Sequence, residues 1–306
     1  MERSKPRRRA TAPPGLGRRL AGAPISWGVC EVPGWGFQLE PLRVLTELRE
    51  LGLAATELGP PGFLPKDPAR LRSLLAGHGL RLVAAFVAVV LHDPARRAAA
   101  LATVREAARH LAAAGGEVLV LAAATGLGGY ERGNDLDERA WQSLLETAGE
   151  AEGIAREQGL VAALHPHQGT VVEGAAQVAR LLDSSRVPLC LDVGHLAVGG
   201  ADPLEVARRA RGRVVHVHLK DVNAALARRV RAGGLGYRDA VKAGLYTALG
   251  SGSARIGEIV RLLEDGGYAG WYVLEQDLVL DEAPAPGAGP FENALRSLEF
   301  LRNLAA

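Results

Sequence analysis

Leu191-Asp192-Val193-Gly194-His195 and Val215-His216-Val217-His218-Leu219-Lys220-Asp221 share one pattern: a short apolar, β-branched run (187–191, then 214–217) breaks off into ionisable residues. An apolar run of that length reads as a strand buried on both faces, and the abrupt change marks where its C-terminal end opens into a site. The two ends lie about 26 residues apart, the spacing of neighbouring parallel strands joined by a helical crossover.

The same rhythm extends in both directions. Strands are expected at 24–27, 54–58, 81–90, 118–121 and 160–164 before this pair and at 271–275 after it, with helical stretches between them. Asp67-Pro68 and Asp202-Pro203 are helix starts, with Asp as N-cap and Pro at the first helical position. Eight strand and helix pairs predict a parallel sheet closed into a (β/α)8 TIM barrel, a single domain without an edge strand. In such a barrel the C-terminal strand ends converge on one mouth. The glycine-rich stretch 126–134 is expected to shape its rim. Residues 222–253 interrupt the rhythm and carry Arg228, Arg229, Arg231, Tyr237, Arg238 and Lys242, so a lid-like insertion over the mouth is expected.

Composition narrows the functional classes. The chain has 306 residues, 48% hydrophobic, enough for one barrel of roughly 250 residues plus a tail. Its formal charge of +2 is owed to Arg3, Lys5, Arg7, Arg8, Arg9, Arg18 and Arg19, so the body has no basic surface for nucleic acid. Residues 1–22 are expected to be a disordered, solvated tail, because Pro13, Pro14, Gly15 and Gly17 break the continuous apolar run a secretory signal needs. No run of roughly 20 apolar residues predicts a membrane span. Cys30 and Cys190 are too few for a disulfide framework, which makes a reducing, cytoplasmic compartment the expectation. A homo-oligomer is left open.

Asp192, His218 and Glu275 fall at the ends of the sixth, seventh and eighth strands, and His165 at the end of the fifth. Carboxylate oxygen and imidazole nitrogen satisfy one divalent cation, with Mn2+, Mg2+ or Co2+ favoured and Zn2+ admitted, and leave positions open for substrate or water. The blander reading, that each group only caps its own strand, is weaker for four adjacent ends than for any one. Glu173 is the alternative fourth ligand. Lys220 is expected beside the cation, where like charge would lower its pKa and suit it to proton transfer. Its competing role is an ion pair with Asp221 or Asp277.

His195, on the turn leaving the sixth strand, and His167, beyond His165, are placed to reach substrate. Glu57, at the end of the second strand, would bind a hydroxyl or act as a base. Trp27 either offers an apolar wall to a sugar-like ring or is a core tryptophan. His216 is expected to point away from His218, as a packed, hydrogen-bonded histidine rather than a ligand.

At these residues the chain resembles the xylose-isomerase-like barrel superfamily of sugar-phosphate isomerases and epimerases, and within it the inosose dehydratases of inositol catabolism. The resemblance is carried by Ala23-Pro24-Ile25-Ser26-Trp27-Gly28, Glu57-Leu58-Gly59, His165-Pro166-His167-Gln168-Gly169-Thr170, the two opening stretches, and Gly270-Trp271-Tyr272-Val273-Leu274-Glu275-Gln276-Asp277. It implies a single divalent metal held by Asp192, His218 and Glu275, with polyol oxygens chelated to it. The implied reaction is dehydration of an inosose, a keto-inositol, through an enediolate stabilised by the cation. Lys220, His195 and Glu57 are the candidates for proton transfer, in that order.

Members of the superfamily commonly carry a glutamate where this chain has His165. That departure bears on the fourth ligand and weakens the matched acid and base pair that symmetric epimerisation uses. The alternatives are a ketose or keto-inositol isomerase or epimerase, an endonuclease at abasic DNA, and a sugar-binding protein without turnover. The endonuclease would need several metals and a basic face that the body lacks.

Overall fold

Parallel pairing of each strand with the next leaves the sheet without an edge. The computed structural model describes residues 15–131 and 133–305. In chain order come β1 (Leu20–Gly22), β2 (Ala55–Glu57), β3 (Arg81–Val89), β4 (Val118–Ala123), β5 (Val161–Leu164), β6 (Leu189–Asp192) and β7 (Val214–Leu219). Two short strands follow, β8 (Asp221–Val222) and β9 (Tyr246–Thr247), antiparallel to each other, and then β10 (Tyr272–Leu274). β1 to β7 and β10 form the closed barrel, each beside its predecessor, with β10 returning to β1.

The helices are α1 (Pro41–Glu50), α2 (Pro68–Gly77), α3 (Arg97–Ala114), α4 (Glu138–Glu157), α5 (Ala175–Ser184), α6 (Val193–Val198), α7 (Pro203–Arg209), α8 (Ala224–Arg231), α9 (Tyr237–Lys242), α10 (Ile256–Asp265) and α11 (Pro290–Ala305). The two Asp-Pro signals hold: Asp67 accepts the Arg70 N–H at 2.8 Å and Asp202 the Leu204 N–H at 2.9 Å. Among the described residues no helix is long and apolar enough to cross a membrane.

The period of two along a strand divides the core. Leucines on the outer faces, such as Leu189, Leu191, Leu119 and Leu274, pack against the helices. Inward residues are small: Ala21, Ala55, Val83, Ala163, Cys190 and Val273 fill the barrel interior. Two residues further along the same strands stand Glu57, His165, Asp192 and Glu275. An inward small residue is thus followed, one pleat later, by an inward ionisable one, which delivers the polar groups to a single layer at the mouth.

The sequence places the first strand one element late. Residues 24–27 form a 3-10 turn, and the strand is Leu20–Gly22. Pro24 has no N–H to give a ladder, whereas Leu20 to Gly22 pair with Tyr272 to Leu274 on one side and Ala21 and Gly22 with Ala55 and Thr56 on the other. The expected tail is therefore shorter than 1–22. Arg19 is buried and ion-paired to Glu264 at 2.6 Å, while residues 1–14 lie outside the described residues.

The insertion 222–253 holds α8, α9 and β9. Asp221 ties its return to the barrel by accepting the N–H groups of Gly250, Gly252 and Ala254 at 2.9, 3.0 and 2.9 Å.

Candidate active site

A cavity of about 660 Å3 opens at the C-terminal mouth. Glu57, His165, His195, His218, Lys220 and Glu275 are among the groups that reach it. Phe86, Tyr130, Trp35 and Pro24 supply apolar walls. Size and lining are those of a small-molecule site.

Atoms of Asp192, Glu275 and His165 gather around His218 Nδ1. His218 Nδ1 lies 3.2 Å from Asp192 Oδ2, 2.9 Å from Glu275 Oε2 and 3.1 Å from His165 Nε2. His165 Nε2 is 3.4 Å from Asp192 Oδ2. Donors bound to one divalent cation at about 2.1 Å stand roughly 3.0 Å apart around an octahedron and 3.4 Å around a tetrahedron. The ligand atoms of Asp192, His218 and Glu275 all fall within 4.8 Å of one another. Two imidazole nitrogens face each other and the same carboxylate oxygen, a grouping that one cation would hold through both nitrogen lone pairs. The residues present therefore fit a divalent cation.

Charge points the same way. Asp192, Glu275 and Asp277 crowd around one ammonium, that of Lys220, at 3.4, 3.0 and 2.8 Å. Burial alone would raise the Asp192 carboxyl, but Lys220, His195 and hydrogen bonds from His165 and His218 hold it well below the usual carboxylate range. Burial likewise opposes a charge on His218, yet Cys190, Glu275, Glu57 and a hydrogen bond to Asp192 raise its pKa well above the ordinary imidazole value. The cluster thus draws positive charge to the His218 position.

Several expectations need correction. The lowered Lys220 pKa expected beside a cation belongs to the loaded site; from the protein's own groups burial lowers the value, but Asp192, Asp277 and Glu275 outweigh it and raise it. Its partner is Asp277 and not Asp221, whose oxygens are taken by backbone amides. His216 does not point away from His218, because residues two apart on a strand share a face. Both rings reach Glu57 Oε1, at 2.8 Å from His216 Nε2 and 3.0 Å from His218 Nε2. Trp27 is the core tryptophan of its two readings: only 1% exposed, it donates from Nε1 to Glu47 at 2.6 Å on α1. Glu173 stays clear of the converging donors; burial raises its carboxyl, against hydrogen bonds from Gly169, Gln168 and Gly133.

His195 sits in the first turn of α6, a helix rather than the expected turn, and its N–H donates to Asp192 Oδ1 at 2.7 Å. Gly194 is required there, since a Cβ would stand 2.5 Å from Lys220 Cγ. The His195 and His167 rings stack with centroids 3.8 Å apart. Burial, and then His167 and Lys220, push the His195 pKa well below the imidazole value. Burial, His165 and Lys220 do the same to His167. The His167 Nδ1–H donates to the Gln168 carbonyl at 2.7 Å, which leaves its Nε2 lone pair free.

Sequence reasoning missed Tyr130, Tyr246 and Phe86 and weighed Asp277 and Tyr237 only in passing. Asp277 had a signal, lying one pleat past Glu275. Tyr237 and Tyr246 had none, because they enter on the insertion, whose path no strand period dictates. Tyr130, from the glycine-rich rim, packs against His167 with the rings tilted and their centroids 4.5 Å apart, and hydrogen-bonds Glu31.

Comparison with known proteins agrees with this geometry. The family model described as xylose isomerase-like TIM barrel matches residues 45–304. An inosose dehydratase from Geobacillus kaustophilus is 33% identical, over 94% of this chain and 94% of its own. An inosose dehydratase from Klebsiella pneumoniae (strain 342) is 30% identical over 94% of this chain and 97% of its own. Among solved structures, a probable 3-DHS dehydratase from Bacillus anthracis superposes with a TM-score of 0.67 at 15% identity, covering 93% of this chain and 99% of its own. With the closed parallel barrel and the polar layer at its mouth in place, the chain belongs to the xylose isomerase-like TIM barrel family.

Proposed function

We propose that this protein is a metal-dependent dehydratase of a keto-polyol, with an inosose as substrate, acting in the cytoplasm. The observation that carries the reading is the gathering of Glu275 Oε2, His165 Nε2 and Asp192 Oδ2 around His218 Nδ1, at 2.9, 3.1 and 3.2 Å, beside Lys220. Similarity to inosose dehydratases over most of both chains supports the substrate. These four residues would hold Mn2+, Mg2+ or Co2+, with Zn2+ also suited to the two imidazoles. A cation there supplies Lewis-acid polarisation that makes the C–H beside a ketone acidic.

The chain's own groups divide the proton traffic. His195 and His167 are held neutral and act as acceptors, with His167 Nε2 the less encumbered. Lys220, held as an ammonium, donates the proton that lets the β-hydroxyl depart as water. Proton removal at one carbon and protonation of the leaving oxygen at the next balance to net loss of water. Glu57 has both histidines on one oxygen, so it orients His218 instead of serving as the base. The apolar walls exclude bulk water.

The test is metal analysis of purified protein followed by a panel of inososes and ketoses, scored for water loss and for exchange of substrate hydrogen with solvent. Metal-dependent water loss from an inosose is expected. Exchange and isomerisation without water loss would make the protein an isomerase or epimerase. Turnover without metal would overturn the cation's role.

A further inference from the structure

Above the polar layer, three segments far apart in the chain close on one another around the cavity opening. The first, residues 29–37, leaves the 3-10 turn that follows β1; the second is the glycine-rich rim at Tyr130 and Glu131; the third is the insertion 222–253. The Tyr130 hydroxyl donates to the Glu31 carboxylate and joins the second to the first. Glu131 accepts the first two N–H groups of α9, that of Tyr237 at 2.8 Å and that of Arg238 at 3.3 Å, which joins the second to the third. Arg238 Nε donates to the Trp35 carbonyl at 2.8 Å and joins the third to the first. The ring of links is closed.

Each segment is also anchored from below. Trp35 Nε1 donates to the Leu278 carbonyl at 2.9 Å, just past β10, and its ring lies near that of Tyr237 with centroids 6.2 Å apart. The Tyr130 backbone rests on Gly169, where φ is +72° and a Cβ would stand 2.3 Å from the Tyr130 carbonyl oxygen. The insertion is tied down by Asp221. Glu31, Trp35, Tyr130 and Tyr237 all line the cavity, so these side chains face the space a substrate would take. By contrast, the links from Tyr130 to Glu31 and from Arg238 N–H to Glu131 run at the exposed surface. Such bonds contribute little net stability, so this rim opens more readily than the barrel beneath it.

We propose that Glu31, Trp35, Tyr130 and Arg238 form a collar that sets substrate size: it admits a free keto-polyol ring and excludes one carrying a glycosyl group on the edge away from the donor cluster. The strand-end groups make the bottom of the cavity and the collar its top. A ring whose carbonyl reaches the donors therefore turns its far edge toward the collar. A bulky substituent there meets the Trp35 and Tyr130 rings and has to part the bond between Tyr130 and Glu31. The selection of substrate rests on the proposed dehydratase reading, and the locking of the three segments stands without it.

The experiment uses the full chain, wild type and the variants Tyr130→Phe and Arg238→Gln, each of which removes one link, with Arg81→Gln as the control. Arg81 begins β3 and pairs with Glu117 at 2.6 Å at the opposite end of the barrel, so its loss tests a surface bond away from the collar. Amide hydrogen exchange, followed by mass spectrometry, reads peptides from all three segments. Breaking either link should speed exchange by about three- to tenfold in all three, and Arg81→Gln in none. Turnover is then compared between an inosose and its O-glucosyl derivative. Wild type should favour the free inosose by about a hundredfold in kcat/KM, and both collar variants should narrow that ratio by about tenfold.

Faster exchange confined to the mutated segment would overturn the locking. Equal turnover of both substrates by wild type, or a ratio unchanged in both variants, would overturn the selection. If Tyr130→Phe melts early, Arg238→Gln decides alone. If wild type turns over no keto-polyol, the functional reading fails, and the exchange data still decide whether the collar opens as one unit.

Discussion

The floor of the barrel and the layer above it lie on the same strands, one pleat apart, and have opposite duties. Ala55, Ala163, Cys190 and Val273 form the floor, while Glu57, His165, Asp192 and Glu275 stand above them. Floor side chains are apolar, so burying them stabilises the fold. Of the upper groups, Glu57, His165 and Asp192 are also buried and Glu275 is partly so, and burial of like-charged carboxylates costs stability unless cations compensate. Stability and chemistry are thus separated vertically within one architecture. The upper layer must be held in place by what lies beneath and around it.

That contrast can be broken at the upper layer first. Asp192→Asn or Glu275→Gln should abolish metal content and lower activity about a thousandfold or more, while circular dichroism and melting stay close to wild type. Stoichiometric metal in both variants would remove the assigned centre. Lys220→Met should keep the metal and lose about a hundredfold to ten-thousandfold in kcat; near-normal kcat would take Lys220 out of the mechanism.

A smaller effect is expected from Gly194→Ala. The new methyl would strike the Lys220 side chain, so kcat should fall by about tenfold to a hundredfold with metal retained. Unchanged kcat would mean that the lysine can shift without penalty. Least affected should be the activity of Val273→Ala on the floor. It should lower unfolding stability by about 2 kcal/mol in a denaturant titration and leave kcat of the folded protein within about threefold. A larger loss of kcat than of stability there would join the two layers that the comparison separates.

Most of the fold was legible because its rules are local. Short apolar runs marked seven of the eight barrel strands near their observed positions, and the Asp-Pro caps marked α2 and α7. The first strand was misplaced because Leu20-Ala21-Gly22 is too short to show a period and takes its structure from partners on both sides. His165, Asp192, His218 and Glu275 were legible as strand-end groups, since a period of two gives the direction of a side chain once the strand is known. The same rule was misapplied to His216, which shares its face with His218.

By itself the sequence determined the alternation of strands and helices, and with it which ionisable side chains would stand together at the mouth. That information lies in the strand period and the spacing of neighbours along the chain. Only the tertiary structure decided what those groups are. It set Lys220 among Asp192, Glu275 and Asp277, buried Trp27 in the core, put two histidines on one oxygen of Glu57, and brought Tyr246 to His195 and Tyr237 to Asp277. The reason is that charge state and hydrogen-bond direction depend on distances of a few ångströms between segments far apart in the chain, and no local pattern encodes those.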